Sequence, residues 1–321
     1  MIRQRCASLS NNPPTARFDL LFYRLGFHHE AVPPDRFDAL AYVRALLVLG
    51  RVSNLPTVWS NCLAGYILGG GGDPNLFIVL CTGASCLYVG GMYLNDAFDA
   101  DFDKIERPER PIPKGTISVW KVWCLAFMWL SGGMVILALL GKLAFTMALA
   151  LLGNIIMYDA YHKQIAFAPV LMGLCRLFLV IMSAAAAASG PDGMTLWCAV
   201  ALGIYVTGVS FLARLEYQPG ARKYWAALLL FAPVLLALLA NDGEFFARGC
   251  FMAVILFLWI FYCLLLAFNR GRQLGRAVSG LLAGIALVDM AAVGPIVQEI
   301  VLVFPALFLA ALILQKVVPA D

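Results

Sequence analysis

The chain has 321 residues, of which 62% are hydrophobic and 13% are charged, with a net charge of +4 and a mean hydropathy of +0.84. A soluble domain is about 45–50% apolar and about a quarter charged, so this composition excludes an ordinary soluble protein and favours a polytopic membrane protein. The small net positive charge is carried by loops between apolar runs and does not indicate a nucleic-acid partner.

The first segment, residues 1–37, is mostly polar and contains Pro13-Pro14 and Pro33-Pro34. It lacks the continuous apolar stretch of a signal peptide, so we expect a polar cytoplasmic N-terminal tail. Residues 38–51 follow and contain ALAYVRALLVL, which favours an interfacial helix leading into the first span. We therefore divide the chain into this tail and a transmembrane domain, residues 38–321.

Nine long apolar runs occupy the transmembrane domain. They cover residues 54–70, 76–97, 117–140, 143–160, 168–188, 194–213, 223–240, 248–268 and 277–315. Each of the first eight is close to the ~20 residues that cross a hydrocarbon core about 30 Å thick. The ninth is too long for one span and predicts either a helix plus a re-entrant half or two short helices broken near Gly294-Pro295. The sequence thus predicts an all-α membrane bundle of about nine spans, with ten as the alternative.

Basic residues predict the orientation of this bundle. The tail up to Arg51 holds seven arginines, the even-numbered loops hold eleven basic residues, and the odd-numbered loops hold only Lys142 and Arg248. Those of the even loops are Lys104, Arg107, Arg110, Lys114, Lys163, Arg214, Arg222, Lys223, Arg270, Arg272 and Arg276. Because short cytoplasmic loops carry the excess of Lys and Arg, we expect the N-terminus and the even loops to face the cytoplasm.

An acidic island closes the second apolar run, with the sequence NDAFDADFDKIERPERP at residues 95–111. If the helix continues at 100° per residue, four polar side chains fall within an arc of about 100°, whereas Asp101 points elsewhere. The four are Asn95, Asp96, Asp99 and Asp103. A row of oxygen donors without His or Cys suits Mg²⁺, which is commonly shared with substrate phosphates. The alternative is a solvated helix end whose acids pair with Lys104, Arg107 and Arg110.

The spacing N-D-x-x-D-x-x-x-D of these residues, followed by Arg107, Arg110, Pro111 and Gly115, resembles the first signature of the UbiA superfamily of intramembrane prenyltransferases. The resemblance covers nearly the whole membrane region. It implies a helical bundle with a central cavity open to lipid and with cytoplasmic motif loops. A polyprenyl diphosphate would bind in that cavity through Mg²⁺, and a small acceptor would attack the prenyl cation.

The same resemblance implies roles for the residues of the acidic island. The expected metal ligands are Asn95, Asp96, Asp99 and Asp103. The three aspartates are also expected to be catalytic, because they position the charge that stabilises the leaving group. Asn95, Arg107 and Arg110 are expected to contact the diphosphate.

A second polar island, NIIMYDAYHK at residues 154–163, closes the fourth apolar run. The family pattern is a tyrosine followed four residues later by a lysine. Here His162 stands at that offset from Tyr158 and Lys163 follows it. The resemblance implies that Tyr158 and His162 contact the diphosphate and that Lys163 is a catalytic cation, while Asp159 could hold Lys163 or a metal. The alternative is an interfacial aromatic belt with a snorkelling lysine.

Two ionisable residues lie deeper in apolar sequence. Arg176 lies inside PVLMGLCRLFLV, where a charge is costly and therefore marks a functional hypothesis. It is a candidate to bind phosphate or, alternatively, to pair with an acid such as Asp159. Asp289 lies inside ALVDMAAVG and could bind a polar group of the acceptor, but pairing with a neighbouring helix is the favoured interpretation.

The third island departs from the family pattern. Most members carry a second motif, D-x-x-x-D, after the sixth span, whereas this loop reads FLARLEYQPGARKYW. Its one acid, Glu216, is a candidate for the remnant of a second metal site. Arg214 and Lys223 are candidates to neutralise the diphosphate directly in place of the second metal. Together with ERPERPIP, YDAYHK and MGLCR, this loop resembles the EboC-like branch of the superfamily.

The sequence therefore predicts a Mg²⁺-dependent membrane prenyltransferase that moves a prenyl group from a polyprenyl diphosphate to a small aromatic or hydroxylated acceptor. An intramolecular terpene cyclase on the same scaffold and a non-catalytic isoprenoid-lipid binder or transporter remain alternatives. The expected location is the bacterial inner membrane. The expected partners are the two substrates and the lipid bilayer, without nucleic acid.

Overall fold

The computed structural model of the protein describes residues 39–214, 225–241, 243–268, 273–297 and 299–318. The tail of residues 1–37 and the candidate site residues Glu216 and Lys223 lie outside these ranges. Every regular element of the described ranges is a helix, so the predicted all-α fold class is confirmed.

The α-helices range from one turn to 25 residues. In chain order they are α1 (Ala39–Leu49), α2 (Leu55–Leu68), α3 (Pro74–Phe98), α4 (Ala100–Glu106), α5 (Val119–Leu137), α6 (Lys142–Tyr161), α7 (Ala168–Ala185), α8 (Gly193–Ala213), α9 (Ala226–Leu229), α10 (Ala232–Ala240), α11 (Phe246–Phe268), α12 (Leu274–Ala283), α13 (Ile285–Val293) and α14 (Val303–Leu314). Three short 3₁₀ segments, Val52–Asn54, Ala138–Leu140 and Gly243–Phe245, lie between them.

Seven helical segments of the described chain are long and apolar enough to cross a membrane, so the predicted nine spans are not confirmed. They are Pro74–Phe98, Val119–Leu140, Lys142–Tyr161, Ala168–Ala185, Gly193–Ala213, Phe246–Phe268 and Leu274–Val293. The two remaining apolar runs form shorter helices, for which the chain gives local reasons.

The first apolar run forms the 14-residue α2, because the helix stops at a tight turn in which Gly70, Gly71 and Gly72 all have positive φ. The seventh run divides into α9 and α10, with Pro233 in the first turn of α10, where proline cannot continue a preceding helix. The ninth run breaks after Val293, next to Gly294-Pro295, as predicted: α12 and α13 make one span and α14 is short.

Helices α2 and α7 lie at the centre of the bundle and contribute buried residues to both of its hydrophobic clusters. Their backbones approach closely, because a Cβ on Gly65 of α2 would lie 2.4 Å from the carbonyl oxygen of Val180. The contact between α7 and α8 is equally close: a Cβ on Gly173 would lie 2.3 Å from the Gly203 carbonyl oxygen. Such small-residue contacts are typical of helix packing in membranes, where close approach maximises dispersion attraction.

Candidate active site

The acidic row lies where α3 passes into α4. Asp99 caps both helices, and its N–H donates to the Asn95 carbonyl, so the helical path continues almost unbroken from Pro74 to Glu106. The four oxygen-bearing side chains are all buried, as the helix period predicts. They are Asn95, Asp96, Asp99 and Asp103. The side chain of Asp101 is 97% exposed and pairs with Lys104 at the surface.

Two arginines neutralise the inner part of this row. Arg110 lies in the turn after α4 and bonds Asp103 at 2.8 Å and Asp96 at 3.2 Å through Nη1. Arg51, ahead of α2, reaches Asp96 at 3.3 Å and the Asn95 side-chain oxygen at 3.4 Å. The backbone of Arg51 is left-handed, with φ of 42°. The sequence indicates Arg51 only as one of the charges that predict topology, and this contact was not predicted.

The end of α6 supplies the cations for Asp99. Lys163 Nζ lies 2.6 Å from Asp99 Oδ1, and His162 Nε2 lies 3.4 Å from Oδ2. Burial of Asp99 opposes its ionisation, but His162 and Lys163 outweigh that effect and hold the pKa of the carboxyl below its ordinary value of 3.8. The ring of His162 stacks on Tyr158 with centroids 5.1 Å apart. The two polar islands therefore meet at Asp99.

Asp159 lies beside the acidic row and has one oxygen without a partner. Its Oδ1 accepts a hydrogen bond from the Asn95 side-chain amide at 3.1 Å, while Oδ2 is buried and unsatisfied. The expected contact between Asp159 and Lys163 is absent from the described part of the chain, since Lys163 binds Asp99 instead. An unpaired buried carboxyl oxygen is costly, so Oδ2 is a candidate position for a ligand.

The donor set fits Mg²⁺ in its chemistry. Asn95, Asp96, Asp99, Asp103 and Asp159 offer hard oxygen atoms, and Asp159 Oδ2 still requires a partner. Throughout the described ranges, however, no three acidic, His or Cys side chains gather closely enough to hold an ion. Basic side chains instead pair with the carboxylates of the row. A metal bound there would require those cations to move.

An apolar cavity adjoins this polar end of the bundle, with about 590 Å³ of empty space that includes its open mouth. Its walls come from α2, α3, α6 and α7, and most lining residues are aliphatic. Four polar side chains reach the wall: Tyr88, Tyr158, Asp159 and Arg176. A polar head at the acidic row and an apolar tail in this cavity would thus fit one amphipathic molecule.

Arg176 belongs to a buried polar network, away from the acidic row. Its Nη1 donates to the Asn61 side-chain oxygen at 2.8 Å and its Nη2 to the Thr57 hydroxyl at 3.1 Å. Asn61 in turn donates to Asp289 at 2.7 Å, and the Ser60 hydroxyl donates to the same carboxylate oxygen. The favoured interpretation of Asp289 is thus borne out by its contacts with α2. The partners of Arg176 are Asn61 and Thr57, rather than Asp159.

The other candidates lie around the edge of the site. Arg107 ends α4 and is half-buried, with its N–H donating to the Asp103 carbonyl. The Arg214 guanidinium donates to the carbonyl oxygens of His162, at 2.7 Å, and Ala166, at 3.0 Å. Arg214 thus ties the end of α8 to the turn that carries Lys163. The diphosphate contacts predicted for these arginines remain predictions.

Comparison with known families and proteins gives concordant results. The model of the UbiA prenyltransferase family matches residues 57–223, which include both polar islands. Similar curated proteins are digeranylgeranylglyceryl phosphate synthases. The one from Metallosphaera sedula is 30% identical over a stretch that covers 37% of this chain and 42% of the relative's own length. The one from Ignicoccus hospitalis is 34% identical over a stretch that covers 40% of this chain and 41% of the relative's own length. The chain thus spans less than half the length of these two relatives.

Solved structures support the same fold. A UbiA homologue from Aeropyrum pernix K1 superposes with a TM-score of 0.61 at 18% identity, covering 78% of this chain and 99% of that one. A UbiA homologue from Archaeoglobus fulgidus, bound to GPP and Mg²⁺, superposes with a TM-score of 0.58 at 12% identity. The match covers 79% of this chain and 99% of that one. All these relatives are archaeal, so they lend no support to the predicted bacterial membrane.

Proposed function

Because the chain belongs to the UbiA prenyltransferase family, we propose that it is an integral membrane enzyme that transfers a prenyl group from a polyprenyl diphosphate to a hydroxylated acceptor. The observation that carries the proposal is the junction of a buried row of acids and cations with an apolar cavity of about 590 Å³. A diphosphate and its prenyl chain require such a pair of environments side by side.

The proposed reaction breaks the bond between the first prenyl carbon and the diphosphate oxygen. A bond then forms from that carbon to the acceptor, which loses a proton. Mg²⁺, held by Asn95, Asp96, Asp99 and Asp103 with Asp159 as a further ligand, would supply positive charge to the leaving diphosphate. Among the chain's own residues, Lys163 and Arg110 are placed to exchange their carboxylate partners for diphosphate oxygens.

The apolar walls have a role of their own in this proposal. They would exclude water, which otherwise captures an allylic cation before the acceptor does. Tyr88 and Tyr158 line the same cavity, and their π faces can stabilise passing positive charge. Tyr158 is held in place by its stacking on His162.

The relatives favour an acceptor of a particular class. Their name, digeranylgeranylglyceryl phosphate synthase, describes a product with two prenyl chains on a glyceryl phosphate. We extend this class to the present chain and propose a hydroxylated acceptor in preference to an aromatic one. The UbiA homologue from Archaeoglobus fulgidus that is bound to GPP and Mg²⁺ supports the proposed donor and metal by analogy.

The test is Mg²⁺-dependent turnover in membranes that contain the full chain. Labelled geranylgeranyl diphosphate is incubated with glyceryl phosphate and aromatic acceptors, and the products are identified by mass spectrometry. Prenylated acceptor is the expected product. A cyclic hydrocarbon or alcohol formed without acceptor would establish the cyclase alternative, and Mg²⁺-dependent diphosphate release would rule out a non-catalytic lipid binder.

A further inference from the structure

The network around Arg176 is a second charged feature of the cavity, distinct from the acidic row. Thr57, Ser60, Asn61 and Asp289 are each at most 3% exposed, whereas Arg176 is 9% exposed and is the member that lines the cavity. The polar groups of α2 and α13 therefore support the guanidinium from behind, on the side away from the cavity. A cation at this depth in a membrane bundle is costly and indicates a function.

The support that Arg176 receives is weaker than a direct salt bridge. Arginine and a carboxylate in contact frequently form a bidentate pair, with two parallel N–H···O bonds along one edge of the guanidinium. Here Asn61 stands between the charges, accepting from Arg176 and donating to Asp289. The hydrogen bonds of Arg176 within the described part of the chain go to neutral oxygens of Asn61 and Thr57. The arrangement fixes the orientation of the guanidinium and leaves its charge available to a ligand.

The hydrogen-bond partners of Arg176 differ from those of the acidic row. Arg176 lies eight residues into α7, about 12 Å along that helix from its start at Ala168. Tyr88 lies between it and Arg51: the Tyr88 ring centroid is 5.9 Å from the Arg176 Cζ, and the Tyr88 hydroxyl donates to the Arg51 carbonyl. The acidic row takes its cations from Arg51, Arg110 and the end of α6. An anion at Arg176 would therefore be a different group from the diphosphate, held in the same cavity.

We propose that Arg176 binds an oxyanion of the acceptor substrate, either a phosphate or a carboxylate, and so selects acceptors that carry one. The proposal rests on the proposed function, because it assigns the second substrate of that reaction. It gives the acceptor two requirements: a nucleophilic hydroxyl near the first prenyl carbon and an anionic group against the guanidinium. Asn61 and Thr57 are positioning residues, since they act by orienting Arg176.

The experiment measures equilibrium binding to the purified full chain in nanodiscs by tryptophan fluorescence. The phosphate probe is geranylgeranylglyceryl phosphate, with the dephosphorylated diol as its neutral match. The carboxylate probe is 4-hydroxybenzoate, with phenol as its match. Geranylgeranyl thiolodiphosphate, which is not turned over, reports the donor site. The two oxyanion arms identify the source of the anion, because each is compared with its own neutral partner.

In the wild type, at least one oxyanion probe should bind more tightly than its neutral match. Arg176→Gln should weaken that probe by on the order of tenfold to a hundredfold, as expected for a hydrogen-bonded charge. The neutral match and the thiolodiphosphate should change by less than about threefold, within the usual effect of a distant substitution. Arg176→Lys should retain part of the preference for the oxyanion probe over its neutral match.

Asp289→Asn is the matched control, because it breaks the same network but keeps the cation. It should preserve or strengthen oxyanion binding, since the charge of Arg176 is then less offset. Equal losses in Arg176→Gln and Asp289→Asn, for charged and neutral probes alike, would show that the network only holds α2, α7 and α13 together. That result would overturn the proposal. If Arg176→Gln does not fold, the doubly substituted Arg176→Gln/Asp289→Asn protein, which keeps the network neutral, takes its place.

The failures of the two proposals can be told apart. A wild type that binds the thiolodiphosphate but shows no preference for either oxyanion probe refutes the role of Arg176 and leaves the prenyltransferase proposal intact. A wild type that fails to bind the thiolodiphosphate refutes the proposed function, whichever oxyanion result accompanies it.

Discussion

Asp99→Asn removes one charge from the point at which the two polar islands meet, with almost no change in volume. The wild-type carboxylate is 12% exposed and binds Lys163 at 2.6 Å and His162 at 3.4 Å. Because Lys163 is itself 36% exposed, solvent screens the pair, and its loss should cost about 1–2 kcal/mol of stability, between exposed and buried ion pairs. The bundle should therefore stay folded.

Activity should respond much more strongly than stability. Loss of one preorganised group at the leaving diphosphate should lower kcat by roughly 10²–10³-fold, the range found when one electrostatic contact is removed from an active site. The assay is Mg²⁺-dependent diphosphate release with geranylgeranyl diphosphate and a glyceryl phosphate acceptor. Thermal unfolding of the same detergent preparation reports the fold.

Asp101→Asn provides the control within the same helix. Its side chain is 97% exposed and pairs with Lys104 at the surface, so the substitution should leave both kcat and the unfolding temperature near wild type. Wild-type kcat in Asp99→Asn, or equal losses in the two variants, would refute the assignment of the buried acidic face to catalysis. A large loss of folded protein in Asp99→Asn alone would instead make the residue structural.

Four further outcomes are expected. Gly173→Ala should destabilise the bundle by about 1–3 kcal/mol, because its Cβ would lie 2.3 Å from a carbonyl oxygen. Gly153→Ala, whose Cβ would have nothing within 4 Å, should be neutral or stabilising, and thermal unfolding compares the two variants. The pKa of Asp99 is lowered in the folded state, so its stabilisation should persist on acidification to about pH 4 and disappear only below its ordinary value of 3.8. If acidification removes the difference in stability between wild type and Asp99→Asn while the pH is still above 5, this prediction is contradicted. Both Arg214→Ala and Arg214→Lys should lower the affinity for the diphosphate, and by similar amounts, because a lysine cannot reproduce the two hydrogen bonds to backbone carbonyls. Wild-type affinity in Arg214→Lys would show that the charge alone matters. A cysteine placed at Ile105 in a background without native cysteines should be labelled only from the cytoplasmic side, and labelling from the outside alone would reverse the orientation.

The acidic face could be predicted from the sequence because it depends on local geometry alone. The helix period fixes which side chains share a face, and it separates buried Asp99 from exposed Asp101, two residues away. The break at Gly294-Pro295 was predictable for the same reason, since proline and glycine end helices locally. Fold class and the family followed from composition and from one motif.

The partners of these groups could not be predicted, because they come from distant parts of the chain. Arg51 lies 45 positions before Asp96, and its contact depends on how the left-handed turn before α2 packs against α3. Arg176 reaches Asn61 across 115 positions, and hydropathy does not indicate which of several polar groups it will meet. The number of helices of full membrane length could not be predicted from apolar length alone, because Pro233 splits one apolar run and a glycine turn shortens another.

The resting acidic row holds its charges in close opposite pairs, and this has a kinetic consequence. Asp96, Asp99 and Asp103 each lie within 3.4 Å of a basic side chain, so their fields largely cancel within a few ångströms. The acidic row itself therefore contributes little to the long-range field that accelerates the encounter of many charged ligands with their proteins. The proposed lipid-borne diphosphate would reach the row by two-dimensional diffusion in the leaflet, and any dependence of its capture rate on ionic strength would come from the basic loops around the row.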